Sequence, residues 1–251
     1  MRSLLSFFTI LPLGRGATLE EAARTAYLLP LVGLLTGLPG ALLLLTDVFP
    51  PGVAASLALV LALISAGLHH ADGVLDVGDA LMVRGTPARR REVLKDARVG
   101  IGGLGALFFV YAPALFALAA LADASGYLAA FSLLAAEVAA RSAMLLVLAF
   151  GSPATDTSSS LPFVLALGGE ARRAAALVLA LALPPVAAFP LGWGAVLAAL
   201  TAGPAVALLA LRASGTAFGG ISGDVSGATG EFARAVLLVA LSAVVAGGLA
   251  A

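Results

Sequence analysis

Ile101–Leu121 reads IGGLGALFFVYAPALFALAAL and contains no charged side chain. As a helix rising 1.5 Å per residue, this stretch extends about 30 Å, the thickness of a bilayer's hydrocarbon core. Its Gly and Pro residues do not count against a span, because transmembrane helices tolerate both. Working outward, similar apolar runs lie at about Thr25–Leu45, Gly52–Leu68, Tyr127–Phe150, Ala174–Leu191, Gly194–Leu211 and Phe232–Leu249. The whole chain is 61% hydrophobic and 11% charged, with mean hydropathy +1.08. A soluble domain is roughly 25% charged. The pattern predicts an all-α, polytopic integral membrane bundle of about seven spans, forming one catalytic domain over residues 1–251. Residues 1–15, MRSLLSFFTILPLGR, are too short an apolar run for a span and are expected to be interfacial or re-entrant.

Charge is distributed unevenly. Arg2, Arg15, Arg24, the six cations of residues 84–98, Arg172, Arg173, Arg212 and Arg234 all fall on one side of this parse. The turns at Asp47, Asp123 and Trp193 fall on the other and carry no Lys or Arg, while Arg141 lies within a span. By the positive-inside rule the cation-rich side is cytoplasmic. The polar segments 72–100, 151–173 and 213–231 then share that face, which is where an active or binding site is expected. With no cysteine, disulfides, thiolate metal sites and Cys nucleophiles are excluded, and zero net charge gives no sign of a nucleic-acid partner.

His69-His70-Ala71-Asp72-Gly73-Val74-Leu75-Asp76-Val77-Gly78-Asp79 follows directly on the second span. Three aspartates at i, i+4 and i+7 share one helical face, where like charges repel. A hard divalent cation converts that repulsion into coordination, and Mg²⁺ commonly takes one or two carboxylates together with substrate phosphates. Because carboxylate oxygens dominate, Mg²⁺ is favoured over a transition metal. His70 stands close enough to assist by hydrogen bonding or proton transfer. Arg89-Arg90-Arg91-Glu92-Val93-Leu94-Lys95-Asp96-Ala97-Arg98 supplies cations beside the acidic face, as a phosphate-bearing substrate requires, and Asp96 offers a fourth carboxylate. Such a run also serves as a topology signal that attracts anionic lipid. Glu137 and Arg141 stand at i and i+4 inside a span, as a self-neutralising pair or as a means of orienting Arg141 toward substrate. Asp224 and Glu231, in a Gly-rich segment read as a loop or lid before the last span, complete the candidate substrate-binding residues.

These residues resemble the cobalamin synthase family, also called adenosylcobinamide-GDP ribazoletransferase. His70–Asp79 is similar to the family's H-x-D-G-x-x-D-x-x-D signature, and Arg91–Gly100 (REVLKDARVG) to its R-x-x-I-M-K-D-S-R-x-G run. Phe8–Pro12, Tyr27–Gly33, Arg141–Met144 and Gly223–Ala228 also match, in order and over nearly the whole chain. Ala97 stands where the family usually has Ser, and Val225-Ser226 and Gly230 where it usually has Thr-Leu and Asn. The resemblance implies a Mg²⁺-dependent enzyme of the cytoplasmic membrane. Adenosylcobinamide-GDP and α-ribazole, or its 5′-phosphate, give adenosylcobalamin, or its 5′-phosphate, with release of GMP. On this basis Asp72, Asp76 and Asp79, with Asp96, are the expected metal ligands. Asp72, Asp76, Asp79 and His70 are the expected catalytic groups, with either a carboxylate or His70 as proton acceptor from the ribazole 5′-hydroxyl. Lys95, Arg98, Arg141, Asp224 and Glu231 are expected to bind substrate. Membrane lipid and a second copy of the chain are the other expected partners. The alternatives are a phospholipid-type alcohol phosphotransferase, whose D-G-x-x-A-R motif the chain lacks, and a cation-coupled transporter using Glu137 and Arg141.

Overall fold

The computed structural model describes residues 1–13, 16–46 and 48–248. Arg15, Asp47 and Leu249, each assigned a place in the sequence parse, lie outside the described residues. Among the described residues there is no strand, only a one-residue bridge between Pro153 and Ile221. Six helical segments are long and apolar enough to cross a membrane: Ala26–Leu44, Ile101–Ala124, Gly126–Phe150, Glu170–Leu191, Trp193–Phe218 and Gly223–Ala246. Their α-helical parts are α3 (Leu29–Leu44), α7 (Ile101–Ala124), α8 (Gly126–Phe150), α10 (Glu170–Ala188), α11 (Trp193–Phe218) and α12 (Gly223–Ala246). The polytopic helical bundle expected from the sequence is therefore present.

A seventh crossing is broken. Helix α4 (Pro51–Ser65) has 15 residues, about 22 Å, which alone falls short of the hydrocarbon core. Gly67 and Leu68 then adopt φ of 76° and 63°, and α5 (His69–Met82) leaves at 93° to α4. Leu68 is not glycine, and a β-carbon in the left-handed region costs about 1–2 kcal/mol. Packing of α5 against α7 and α12 offsets this.

Helix α8 is the axis of the bundle. In its 18-residue apolar window 89% of residues are buried, against 28% in α7, α10 and α11, whose outer faces carry the lipid-facing side chains. On α7 these include Phe108, Phe109 and Phe116, all more than two-thirds exposed. The short helices α1 (Arg2–Phe8), α2 (Leu19–Ala23), α6 (Pro87–Val93) and α9 (Leu161–Leu167) gather at one end of the bundle with α5. Seven residues make α1 about 10 Å long, so it does not span. It inserts Leu4 and Phe8 into the core, and the chain after it is tied by an Ile10 N–H donated to the Ser65 carbonyl.

The Gly-rich stretch read as a loop is instead mostly helix. Helix α11 continues to Phe218, and only Gly219–Ser222 separate it from α12. Two local devices explain this. The Ser222 hydroxyl accepts from the Val225 N–H and caps α12, while the Arg91 guanidinium donates to the Phe218 carbonyl at the end of α11.

Candidate functional site

Helix α5 carries Asp72, Asp76 and Asp79, so the i, i+4, i+7 face expected from the sequence forms despite Gly73 and Gly78. Those glycines lower helix propensity, but each sits where another helix comes within contact. A β-carbon on Gly73 would lie 2.7 Å from the Asp224 carbonyl oxygen of α12. One on Gly78 would lie 2.5 Å from the Ala106 β-carbon and 2.7 Å from the Gly102 oxygen of α7. Close approach at Gly73 carries Asp224, in the first turn of α12, up to the aspartate face. Asp76 is thereby set among the like charges of Asp72, Asp224 and Asp79.

The members of this cluster are not equivalent. Asp79 is bound to the start of α7: its Oδ2 accepts from the Gly100 N–H at 2.7 Å and its Oδ1 from the Gly103 N–H at 2.8 Å. It satisfies two orphan amides of a 24-residue helix. Asp224 accepts from the Ser222 hydroxyl at 3.3 Å. Asp72 and Asp76 accept no side-chain or loop hydrogen bond, and none of the four carboxylates has an ion-pair partner among the described residues.

Two cavities meet here, and Asp72 lines both. The smaller, about 290 Å³, is bounded on one side by Asp72, Asp76 and Asp79 and on the other by the 94–99 segment, including Lys95, Asp96 and Arg98. The Lys95 ammonium has no partner among the described residues. Asp96 differs: Arg98 grips its carboxylate with Nη2 to Oδ2 at 2.7 Å and Nε to Oδ1 at 3.0 Å. That hydrogen-bonded pair holds the Asp96 carboxyl down to about 2. A metal ion at Asp96 would compete with Arg98. Of the other cations in the run, Arg90 donates to the Val83 carbonyl and Arg91 caps α11, so both serve the fold.

The larger cavity, about 340 Å³, is lined by Phe7 and Phe8 of α1, Met144 and Leu148 of α8, and Phe163 of α9. Its polar boundary is formed by His69, His70, Asp72, Ser159, Ser160, Asp224 and Ser226. His70 is buried, with its ring centroid 6.0 Å from that of Phe8.

Arg141 and Glu231 line neither cavity. They belong to a buried polar network behind His70 that joins α3, α5, α7, α8 and α12. Arg234 of α12 bonds both Glu137 of α8 and Glu231 of its own helix. Glu137 also accepts from the Thr36 hydroxyl at 2.8 Å and lies 3.7 Å from Arg141. Glu231 accepts from the Tyr111 hydroxyl at 2.8 Å, and its other oxygen is 3.9 Å from His70 Nδ1. The Glu137–Arg141 pair seen in the sequence is real, but the closer partner of Glu137 is Arg234. The sequence pattern counts Arg234, at the start of the last span, among the cytoplasmic-side topology charges; it is 1% exposed inside α12. Its i, i+3 spacing from Glu231 was the available signal.

Among the described residues, no three His, Asp or Glu side chains are arranged to hold one metal ion. The donor set nevertheless suits Mg²⁺. Hard carboxylate oxygens carry uncompensated charge, and Mg²⁺ at a nucleotide needs only one or two of them, with phosphate oxygens and water completing its octahedron.

The family model described as cobalamin-5-phosphate synthase matches residues 1–242. The adenosylcobinamide-GDP ribazoletransferase of Halorubrum lacusprofundi is 39% identical over 252 residues, covering 95% of this chain and 94% of that protein. Proteins of the same name from Bradyrhizobium diazoefficiens and Methanococcoides burtonii are 34% and 31% identical, covering 97% and 96% of this chain and 93% and 91% of their own length. No solved structure matches the chain. With a whole-length family match and relatives above 30% identity over nearly their full length, the chain belongs to the cobalamin-5-phosphate synthase family.

Proposed function

We propose that the protein transfers the cobinamide-phosphate moiety of adenosylcobinamide-GDP to α-ribazole or its 5′-phosphate, yielding adenosylcobalamin or its 5′-phosphate and GMP. The observation that carries this reading is the junction at Asp72 of a carboxylate-and-lysine cavity with an aromatic one. A transferase with a diphosphate donor and an aromatic acceptor needs both, side by side.

The reaction forms one bond from an acceptor oxygen to the phosphorus that bears cobinamide, and breaks the bond from that phosphorus to the bridging oxygen, which leaves with GMP. An acceptor carrying a 5′-phosphate that survives into the product cannot attack through its 5′ oxygen. The 5′-hydroxyl expected from the sequence therefore serves free ribazole at most, and a secondary ribose hydroxyl is the nucleophile common to both acceptors. Lys95, unpartnered in the smaller cavity, is placed to meet the diphosphate and the charge that develops on departing GMP. Asp72, at the junction, or His70 beside it, accepts the hydroxyl proton. Asp76, with Asp72 or Asp224 as a second carboxylate, would hold Mg²⁺, with Asp79 committed in part to α7 and Asp96 to Arg98. When bound, Mg²⁺ neutralises diphosphate charge that the carboxylates alone would repel.

The site is assigned to the cytoplasmic face of the cell membrane, because Lys95, Arg98 and the other loop cations cluster at that end. The buried charges of α8 and α12 are the observation a cation-coupled transporter would use, but the four pair with one another into a neutral set. Purified protein given adenosylcobinamide-GDP, α-ribazole and Mg²⁺ is expected to release GMP and form cobalamin. Absence of both products, with cation uptake by protein-bearing liposomes, would replace this reading with transport.

A further inference from the structure

The described lining of the larger cavity disfavours the anionic donor. Among the described residues no Lys or Arg borders it, whereas Asp72 and Asp224 do, so a diphosphate would be repelled there and drawn instead to Lys95 in the smaller cavity. Its other walls suit a flat, uncharged, aromatic group. The rings of Phe7, Phe8 and Phe163 have pairwise centroid separations of 4.9, 5.8 and 6.0 Å, within the range of mutually attractive aromatic contacts. Met144 adds a polarisable sulfur, which favours ring edges. A volume of about 340 Å³ lies within the range of roughly 300–1,000 Å³ typical of small-molecule sites. Two lining residues carry a buried polar atom with no hydrogen-bond partner among the described residues: His70 Nδ1, which faces Glu231 at 3.9 Å, and the hydroxyl of Ser226, which is 3% exposed and is left for a ligand. A buried hydroxyl without a partner costs about 1–3 kcal/mol, which a polar atom of a bound ligand relieves.

We propose that this cavity binds the planar aromatic base of the acceptor riboside, packed against the cluster of Phe7, Phe8 and Phe163 and hydrogen-bonded to Ser226, with the ribose directed to Asp72. The assignment rests on the transfer reaction proposed above and specifies where its second substrate sits. Helices α1 and α9, which contribute nothing to the carboxylate cavity, thereby gain a role as the shared aromatic wall of an acceptor slot.

The test titrates α-ribazole alone, without donor, into the full-length protein in nanodiscs, by calorimetry. Phe163→Ala is expected to weaken binding about three- to tenfold, the worth of one aromatic contact. Ser226→Phe, which drives a benzyl group into the slot, is expected to weaken it more than tenfold. The same factors should appear in KM for α-ribazole, with KM for adenosylcobinamide-GDP unchanged; that unchanged donor KM also certifies the fold. Should Ser226→Phe fail to fold, Phe163→Ala carries the test. Wild-type riboside affinity in the folded variants, or a rise in donor KM alone, overturns the assignment while leaving the transfer reaction standing. If the wild-type protein performs no transfer, the proposed function fails, and the riboside titration still decides the slot. Binding lost on Ser226→Phe upholds it, and no binding by wild type overturns it.

Discussion

Gly73→Ala separates the spacing of the carboxylate cluster from its chemistry. The substitution adds one methyl group, alters no charge, and by helix propensity alone should stabilise α5 by about 1 kcal/mol. Against this, the new β-carbon would stand 2.7 Å from the Asp224 carbonyl oxygen and 3.1 Å from its Cα, both backbone atoms that cannot rotate away. Restoring an ordinary contact of 3.4 Å requires α5 and the first turn of α12 to part by about 0.7 Å. Overpacking of this kind costs about 1–3 kcal/mol, so the net change in stability is expected to be about 0–2 kcal/mol of loss. The larger effect falls on activity, because the same displacement moves Asp72 and Asp76 away from Asp224. A misplacement of about 1 Å can cost about a hundredfold, so a loss of about ten- to a hundredfold in GMP release is expected. Gly105→Ala is the control: it also lies in a helix near the site, but its β-carbon would meet nothing closer than 4.0 Å. It should keep full activity and unfold at or slightly above the wild-type temperature. The assay is donor- and acceptor-dependent GMP release in nanodiscs, paired with thermal unfolding of each variant. Gly73→Ala activity within twofold of Gly105→Ala would refute the idea that the α5–α12 contact sets the carboxylate spacing.

Asp76→Asn is expected to abolish GMP release while the protein still inserts and unfolds cooperatively; an active variant would remove the carboxylate cluster from the chemistry. Lys95→Ala should raise KM for adenosylcobinamide-GDP at least tenfold without changing expression, whereas unchanged kinetics would reduce Lys95 to a topology signal. Asp96→Asn should leave the acid limb of the pH–rate profile in place. A carboxyl held down to about 2 by Arg98 stays ionised throughout the working range, and it loses its charge only as pH falls through that value; a shifted acid limb would show that Asp96 titrates with the site. Glu137→Gln leaves Arg234 and Arg141 facing a single buried carboxylate. It should destabilise the bundle by about 3–5 kcal/mol, read as a lowered midpoint of thermal unfolding in detergent.

What the sequence made legible follows from which forces act locally. The spans show because lipid imposes a length and a composition on each segment separately, so Ile101–Leu121 can be read without reference to its neighbours. The aspartate face shows because helical spacing is a property of α5 alone. The Gly-rich start of α12 was misread for the complementary reason. Glycine propensity is also local, and it argues for a loop, but Ser222 caps the helix and His70 of α5 packs against Gly227, a contact no single-segment reading contains. The same limit hid Arg234. A cation near a span end looks like a topology signal until the fold places two carboxylates around it, one of them 97 residues away. The division extends to the site itself. Residues whose role depends on charge within one segment, such as Asp72, Asp76 and Lys95, could be named in advance. Roles that depend on assembly could not: the hold of Asp79 on α7, the gathering of Phe7 and Phe8 against Phe163, and the burial of Ser226 without a hydrogen-bond partner among the described residues. In this chain the second group forms the walls and the register of the site. Substitutions there should therefore change which substrate is used, and how tightly, before they change whether phosphoryl transfer occurs.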